Sequence, residues 1–252
     1  MIKVMLYGCD GHMGHVLRDL IAQTDNMTIT AGVDARASSD GDFPVYTSPE
    51  DCKEEVDVII DFSVAPAVDA ALDFAASRNI PIVECTTGLS EDQLAHLERC
   101  AEKTPVLRSS NMSLGINILI KLLKAAVPVL GNAGFDIDIV EKHHRRKLDA
   151  PSGTAIALAE AANEAADGRY AFVYDRSGRR EQRPADEIGI SAVRGGTIVG
   201  QHDVIFAGTD EVIELHHTAY SRAIFGKGAI EAARYLIGRP AGLYDMSDVI
   251  EG

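Results

Sequence analysis

The stretch Val4–Leu17, VMLYGCDGHMGHVL, sets an apolar run directly before three glycines, Gly8, Gly11 and Gly14, and an amphipathic run directly after them. A strand that ends in such a turn and reopens as a helix lets the backbone approach a pyrophosphate closely, with the free amides of the helix N-terminus facing the phosphates. Asp34 closes the next apolar run, 20 residues after Gly14. A carboxylate there accepts hydrogen bonds from adenine-ribose hydroxyls. The spacing is G-x-x-G-x-x-G, not G-x-G-x-x-G, and Asp10 stands where many such turns have glycine. Pointing inward it would repel a pyrophosphate, so it is expected to point outward. A tight strand–helix turn in a protein without a dinucleotide is the competing explanation.

Working outward, β-branched runs at 3–7, 28–33, 56–62, 80–84 and 106–108 alternate with helical patterns at 12–23, 65–77 and 90–102. Pro66 fits the first turn of the second helix, and Ser90 with Gln93 forms a capping-box pattern for the third. This alternation predicts a doubly wound parallel sheet of α/β class over residues 1–112. After residue 112 the pattern changes: helices at 116–130 and 154–166, a strand at 136–142, then strands at 188–194, 198–207 and 211–219 with no helix between them, and a last helix at 229–237. The turns RGGT and AGTDE separate the late strands and predict antiparallel pairing of each with the next. The second domain, 113–221, is therefore expected to be α+β on a mixed, mostly antiparallel sheet.

The chain has 252 residues, 46% hydrophobic and 25% charged, as expected of a soluble globular protein. No run of about 18 apolar residues is evident, which predicts no membrane span. The N-terminus does not resemble a signal peptide. Cys9, Cys52, Cys85 and Cys100 lack C-x-x-C or metal-type spacing, so reduced thiols, a cytoplasmic location and no metal are expected. A formal charge of -14 argues against nucleic acid as a partner.

Against that acidity, the segment EKHHRRKLDAPSGTA, residues 141–155, concentrates Lys142, Arg145, Arg146 and Lys147 around His143 and His144. Pro151 disfavours helix before it and fits the first turn after it. Ser152, Gly153 and Thr154 then open a helix whose free amides, with the Thr154 hydroxyl, suit a substrate carboxylate. The histidines and Lys147 can hold a second carboxylate or move a proton. A solvated basic loop accounts equally well for Arg145 and Arg146 alone.

This segment resembles the signature E-x-H-H-x-x-K-x-D-A-P-S-G-T-A of the 4-hydroxy-tetrahydrodipicolinate reductase (dihydrodipicolinate reductase) family. YGCDGHMG, CTTG, SSNMSLGIN, RGGTIVGQH, ELHHTAYSRAIFGKGA and GLYDMSDVI agree in order, so the resemblance covers essentially the whole chain. It implies a Rossmann domain of residues 1–112 completed by 222–252, and a substrate-binding and oligomerisation domain, 113–221, whose sheet builds a homotetramer. It further implies NAD(P)H-dependent reduction of a small cyclic dicarboxylate in diaminopimelate and lysine synthesis, with loss of water before or during the hydride step.

Residue by residue, the resemblance makes His143 the acid–base group and Lys147 the proton donor, with His144, Gly153 and Thr154 binding substrate. It places the nucleotide on Gly8, Cys9, Asp10, Gly11, His12, Met13, Asp34, Cys85, Thr86, Thr87, Ser109, Ser110, Asn111 and Met112. There are departures. His12 stands where the family often has arginine, Cys85 where it commonly has glycine, and Ala35 where NADPH-using members tend to carry arginine. Asp34 followed by Ala35 favours NADH, with NADPH still used because Arg36 is near. Another nicotinamide-dependent dehydrogenase on the same fold, or a non-catalytic nucleotide-binding relative, remains an alternative. Among the other histidines, 216 and 217 are expected on opposite faces of a strand. His96 is expected on a helix surface, and Arg179, Arg180 and Arg183 in an exposed loop.

Overall fold

The computed structural model describes residues 1–36 and 42–252. In chain order the elements are β1 (Ile2–Tyr7), α1 (His12–Ala22), β2 (Met27–Val33), β3 (Val45–Tyr46), β4 (Val58–Asp61), α2 (Ala65–Arg78), β5 (Ile82–Glu84), α3 (Glu91–Ala101), β6 (Pro105–Arg108), α4 (Leu114–Asn132), β7 (Asp136–His143), α5 (Gly153–Glu164), β8 (Ala171–Val173), β9 (Glu187–Arg194), β10 (Gly200–Ala207), β11 (Val212–Ala219), α6 (Ala223–Leu236), β12 (Gly242–Tyr244) and α7 (Met246–Glu251). They form two compact units, Met1–Leu114 with Ala223–Gly252, and Gly115–Arg222.

The first unit is built on a seven-stranded sheet of order β12-β6-β5-β4-β1-β2-β3, parallel throughout. Its strands are apolar on both faces because helices cover both. Val4 and Leu6 pack with Leu17, Ile21, Ala229 and Ile230 on one side. Met5 and Tyr7 pack with Val68, Leu72 and Leu97 on the other. The chain order reverses between β1 and β4, and at such a switch point the carboxyl ends of the strands leave a crevice for a ligand. Ser90 and Gln93 close the expected capping box on α3.

α6 begins at Ala223, six residues earlier than the sequence pattern placed it. Gly226 and Gly228 weaken the helical signal, yet they lie inside the helix because of close packing. A Cβ on Gly228 would sit 1.6 Å from the Met112 carbonyl oxygen. The edge strands β3 and β12 are two and three residues long, too short for a periodic signal.

The second unit holds a mixed five-stranded sheet, β11-β10-β7-β9-β8. β10 pairs antiparallel with β11 and β7, whereas β9 pairs parallel with β7 and β8. The expected hairpin between β9 and β10 does not form, because β7 lies between them. The RGGT loop instead bridges the end of β7: Gly195 N–H donates to the His143 carbonyl at 2.9 Å, and Arg145 N–H to the Gly196 carbonyl at 3.3 Å. β7 alternates strictly, with Ile137, Ile139, Glu141 and His143 on the buried face. Ile137 and Ile139 meet Leu119, Leu123 and Val127 of α4 and Leu158 of α5, while the last two positions are polar.

α4 has 19 residues and a mean hydropathy of 1.7, so by length and composition alone it could cross a membrane. The sequence pattern hid this length because Asn117, Lys121 and Lys124 interrupt the apolar run. Its Leu119, Leu123 and Val127 are core residues. The loop carrying Arg179 and Arg183 is tied down, contrary to expectation: Arg183 is paired with Asp138 and Arg179 with Glu187.

Candidate active site

In the second unit the polar end of the buried sheet face gathers side chains from four strands and one helix. Glu141 of β7, His202 of β10 and His217 of β11 are register partners across three strands. Glu141 is fully buried and takes four donors. Arg194 of β9 binds it bidentately, Nη2 to Oε1 at 2.7 Å and Nη1 to Oε2 at 2.8 Å. Ser152 N–H donates to Oε1 at 2.9 Å. His143 Nδ1 lies 2.6 Å from Oε2. An ionised carboxylate only accepts, so Nδ1 carries the proton and Nε2 is the free atom. Gly200 faces that atom: a Cβ there would sit 3.1 Å from His143 Nε2.

Ser152 caps α5, its Oγ accepting from Ala155 N–H at 3.2 Å. The cap starts the helix at Gly153, so Pro151 precedes the cap rather than sitting in the first turn. Ser152 Oγ also lies 3.1 Å from His202 Nε2. The His143 and His202 rings meet edge to face at 5.2 Å, and His217 stands 6.5 Å beyond. Among the described residues nothing lies within 4 Å of a Cβ built on Gly153, so a ligand can approach the backbone there, where the Gly153 N–H faces the Asp149 carboxylate. Lys147, at the rim, pairs with Asp149 at 2.9 Å. Among the described residues, the Nδ1 atoms of His144, His202 and His217 are buried without a hydrogen-bond partner.

Burial alone would raise the Glu141 carboxyl, but the bonds from Arg194, His143 and Ser152 outweigh it and hold the group below the usual range. Burial lowers His143, with Lys147 and Arg194 adding to the effect and Glu141 opposing it. Burial, then the neighbouring His143, pushes His202 down to about 4. Near neutral pH the centre therefore holds the neutral imidazoles of His143 and His202 on the Glu141 anion, beside the Arg194 guanidinium.

The structure brings His143, Lys147, Gly153 and Thr154 into one end of this unit. It adds Glu141, Arg194, His202 and His217, which sequence reasoning did not select for the site, and ties Ser152 of the expected helix opening to Glu141 and His202. His216 faces away, paired with Asp203, as alternation requires.

In the first unit, Gly8 has φ +77°, and a Cβ on Gly14 would lie 2.4 Å from the Gly8 and Cys9 carbonyl oxygens. Only glycine fits either place. Among the described residues no side chain caps α1, and its first turn holds no acid, which leaves amides for phosphate oxygens. Asp10 is paired with Arg18, so its charge is neutralised beside the turn. Asp34 Oδ2 accepts Asp10 N–H at 3.1 Å and Oδ1 accepts Arg36 N–H at 3.3 Å, which orients the carboxylate and leaves lone pairs for hydroxyls.

Gly11, His12, Thr87 and Ser110 are exposed, and Met13, Cys85, Ser109 and Asn111 half-buried. The Cys9 and Met112 side chains are core residues, and Thr86 is buried, so these positions offer a ligand mainly backbone. The residues present thus fit a dinucleotide. His96 is not free on its helix: its ring nitrogens meet Asp69 at 2.7 Å and Asp73 at 3.0 Å.

A glycine turn at the switch point of a parallel sheet, together with a cation-rimmed histidine pocket on a second sheet, describes a nicotinamide-dependent oxidoreductase with an anionic substrate. The family model described as dihydrodipicolinate reductase, N-terminus, matches residues 2–112, and that described as dihydrodipicolinate reductase, C-terminus, matches 115–250. The 4-hydroxy-tetrahydrodipicolinate reductase of Caldanaerobacter subterraneus subsp. tengcongensis is 51% identical over 251 residues, covering 100% of this chain and 99% of that protein. The one from Clostridium botulinum is 46% identical, covering 99% and 98%. A dipicolinate-bound dihydrodipicolinate reductase from Paenisporosarcina sp. TG-14 shares the fold with a TM-score of 0.82 at 24% identity, covering 99% of each chain. The chain belongs to the dihydrodipicolinate reductase family. Its activity is 4-hydroxy-tetrahydrodipicolinate reduction with a nicotinamide cofactor, a step of diaminopimelate and lysine biosynthesis.

Proposed function

We propose that NADH is the preferred reductant and that the second unit is the substrate domain, with His143 and Lys147 as its acid–base pair. The observation that carries the proton assignment is the Glu141–His143 contact at 2.6 Å, which fixes Nδ1–H and leaves Nε2 to exchange a proton. His144, Gly153 and Thr154 bind the dianion's carboxylates, through an imidazole, the open start of α5 and a hydroxyl. Dipicolinate, bound in the Paenisporosarcina relative, is a ring dicarboxylate of the kind such a pocket suits.

The first unit, Met1–Leu114 with Ala223–Gly252, holds the cofactor on the turn from Gly8 to Met13, on Asp34, on Cys85 to Thr87 and on Ser109 to Met112. The cofactor supplies a hydride. The protein orients the ring, balances its charge and delivers the proton. Water is lost from the 4-hydroxy compound before or during reduction.

Asp34 favours the free 2'-hydroxyl, and a 2'-phosphate would need Arg36 to offset the carboxylate. Residues 37–41, beyond Arg36, lie outside the described part of the chain. The enzyme acts in the cytoplasm as a homotetramer assembled through the sheet of the second unit, where Val193, Val212 and Ile213 are exposed. Its test is kinetic. His143→Ala and Lys147→Ala are expected to lower kcat by about 10²–10⁴-fold with NADH affinity intact; near-normal kcat in both would remove the assignment. A wild-type kcat/KM clearly higher with NADPH would contradict the role given to Asp34.

A further inference from the structure

The carboxyl ends of β4 and β5 carry two acids that the chemistry above does not use. Asp61 and Glu84 are register partners on adjacent parallel strands. They are 0% and 1% exposed. Asp61 Oδ1 accepts Ser63 N–H at 2.7 Å and the Thr86 hydroxyl at 3.3 Å. Glu84 Oε1 accepts Thr86 N–H at 2.7 Å. The register sets the two carboxyls at neighbouring strand ends, and the charge of Asp61 raises Glu84. Among the described residues, Asp61 Oδ2 and Glu84 Oε2 are buried with no hydrogen-bond partner. Among the described residues neither acid forms an ion pair.

Two ionised carboxylates in that setting would be adjacent, buried and uncompensated. One proton between them gives both orphan oxygens a partner, as in paired acids that titrate as a unit. The groups around the pair do not supply a counter-charge. Tyr7 on β1 is raised to about 12 by burial and by Asp61, with Glu50 beyond it. Cys85 is raised by burial and by both acids. Arg108, the register partner of Glu84 on β6, is not paired with it. Burial, then the charge of Asp61, raises Glu84 to about 9.

We propose that Asp61 and Glu84 form a proton-sharing clasp that positions the loops after β4 and β5 for the nicotinamide half of the cofactor. The direction follows from the sheet order. The turn after β1 takes the pyrophosphate and Asp34 after β2 the adenine ribose, so the other half of a dinucleotide runs from the switch point over β4 and β5. Thr86 is tied through its amide to Glu84 and through its hydroxyl to Asp61, and Ser63 through its amide to Asp61, so the clasp sets both loops together. Loss of the shared proton places two like charges at neighbouring strand ends and parts the loops. The inference rests on the first unit holding NADH.

The test is the Kd of NADH for the full chain, by its fluorescence, at about pH 7 and about pH 10. The pair gives up its proton as pH rises through about 9, so Kd is expected to rise severalfold between the two pH values. ADP-ribose, which lacks the nicotinamide, is expected to bind equally at both pH values, and the helical circular dichroism to stay constant. In Glu84→Gln and in Asp61→Asn the ratio of the two NADH Kd values is expected to fall to near one. Glu84→Ala is expected to weaken NADH binding already at the lower pH, and Gln to restore it.

A wild-type ratio near one, a ratio that survives in both variants, an equal loss of ADP-ribose, or loss of helix signal in step with Kd would overturn the clasp. No NADH binding at either pH would overturn the cofactor assignment and the clasp with it, whereas pH-independent binding overturns the clasp alone.

Discussion

Glu141→Gln keeps the shape of the anion at the pocket's centre and removes its charge. Each carboxylate oxygen meets two donors: Ser152 N–H at 2.9 Å and Arg194 Nη2 at 2.7 Å on one, His143 Nδ1 at 2.6 Å and Arg194 Nη1 at 2.8 Å on the other. An amide offers one acceptor and one NH2, so in either orientation the NH2 faces two donors. If it faces His143, the ring must carry its proton on Nε2, the tautomer opposite to that imposed by the carboxylate. If it faces Ser152, Nδ1–H keeps an acceptor but loses the charge that favours the imidazolium, and His143, already lowered by burial, falls further.

Removing one partner of a buried pair costs about 3–5 kcal/mol. The lower end applies here, because the Arg194 side chain is 19% exposed and keeps the Asp149 and Val193 carbonyls. At about 2–4 °C per kcal/mol, Tm is expected to fall by about 6–12 °C. Loss of a positioned acid–base group predicts a kcat lower by about 10²-fold, with KM for NADH unchanged. The assay is NADH oxidation with enzymatically generated substrate, alongside a thermal melt. A kcat within about threefold of wild type would show that Glu141 does not set the His143 proton.

Thr154→Val is expected to raise substrate KM by the equivalent of about 1–3 kcal/mol and leave cofactor KM alone; an unchanged substrate KM would remove Thr154 from the carboxylate site. His202, at about 4 in the fold against 6.5 outside it, contributes stability that is present above pH 6.5 and lost as pH falls towards 4, so urea midpoints should drop over that window and drop less in His202→Gln. Glu84 acts with the opposite sign: its raised folded value means stability that is full below 4.5 and lost as pH rises through about 9, a slope Glu84→Gln should remove in the same denaturation series. Light scattering at micromolar concentration should give the mass of four chains, and a monomeric mass would refute the homotetramer.

The first unit was legible wherever local pattern and packing agree. Three glycines after a β-branched run, Asp34 at the next strand end and the Ser90–Gln93 box are each local signals. In the second unit EKHHRRKLDAPSGTA alone assigned residues to the site, while RGGTIVGQH and ELHHTAYSRAIFGKGA marked the family without giving their residues a role. Glu141, Arg194, His202 and His217 meet through strand register between segments far apart in the chain, and register follows from β7 lying between β9 and β10. The RGGT turn pointed to the wrong neighbour, because a hairpin and a loop bridging the end of an intervening strand use the same residues. Arg194 and His202 bound the segment RGGTIVGQH, which marked the family but assigned neither residue to the site. Asp61 and Glu84 look like ordinary strand-end acids until the sheet order makes them neighbours.

The most direct measurement is NADH oxidation by the wild-type chain in the presence of 4-hydroxy-tetrahydrodipicolinate made in situ by a coupling enzyme, with NADPH in parallel. Substrate-dependent oxidation of one NADH per substrate molecule is expected, with a higher kcat/KM for NADH than for NADPH and no oxidation when the coupling enzyme is left out. NADH that binds but is not consumed when substrate is present would contradict it.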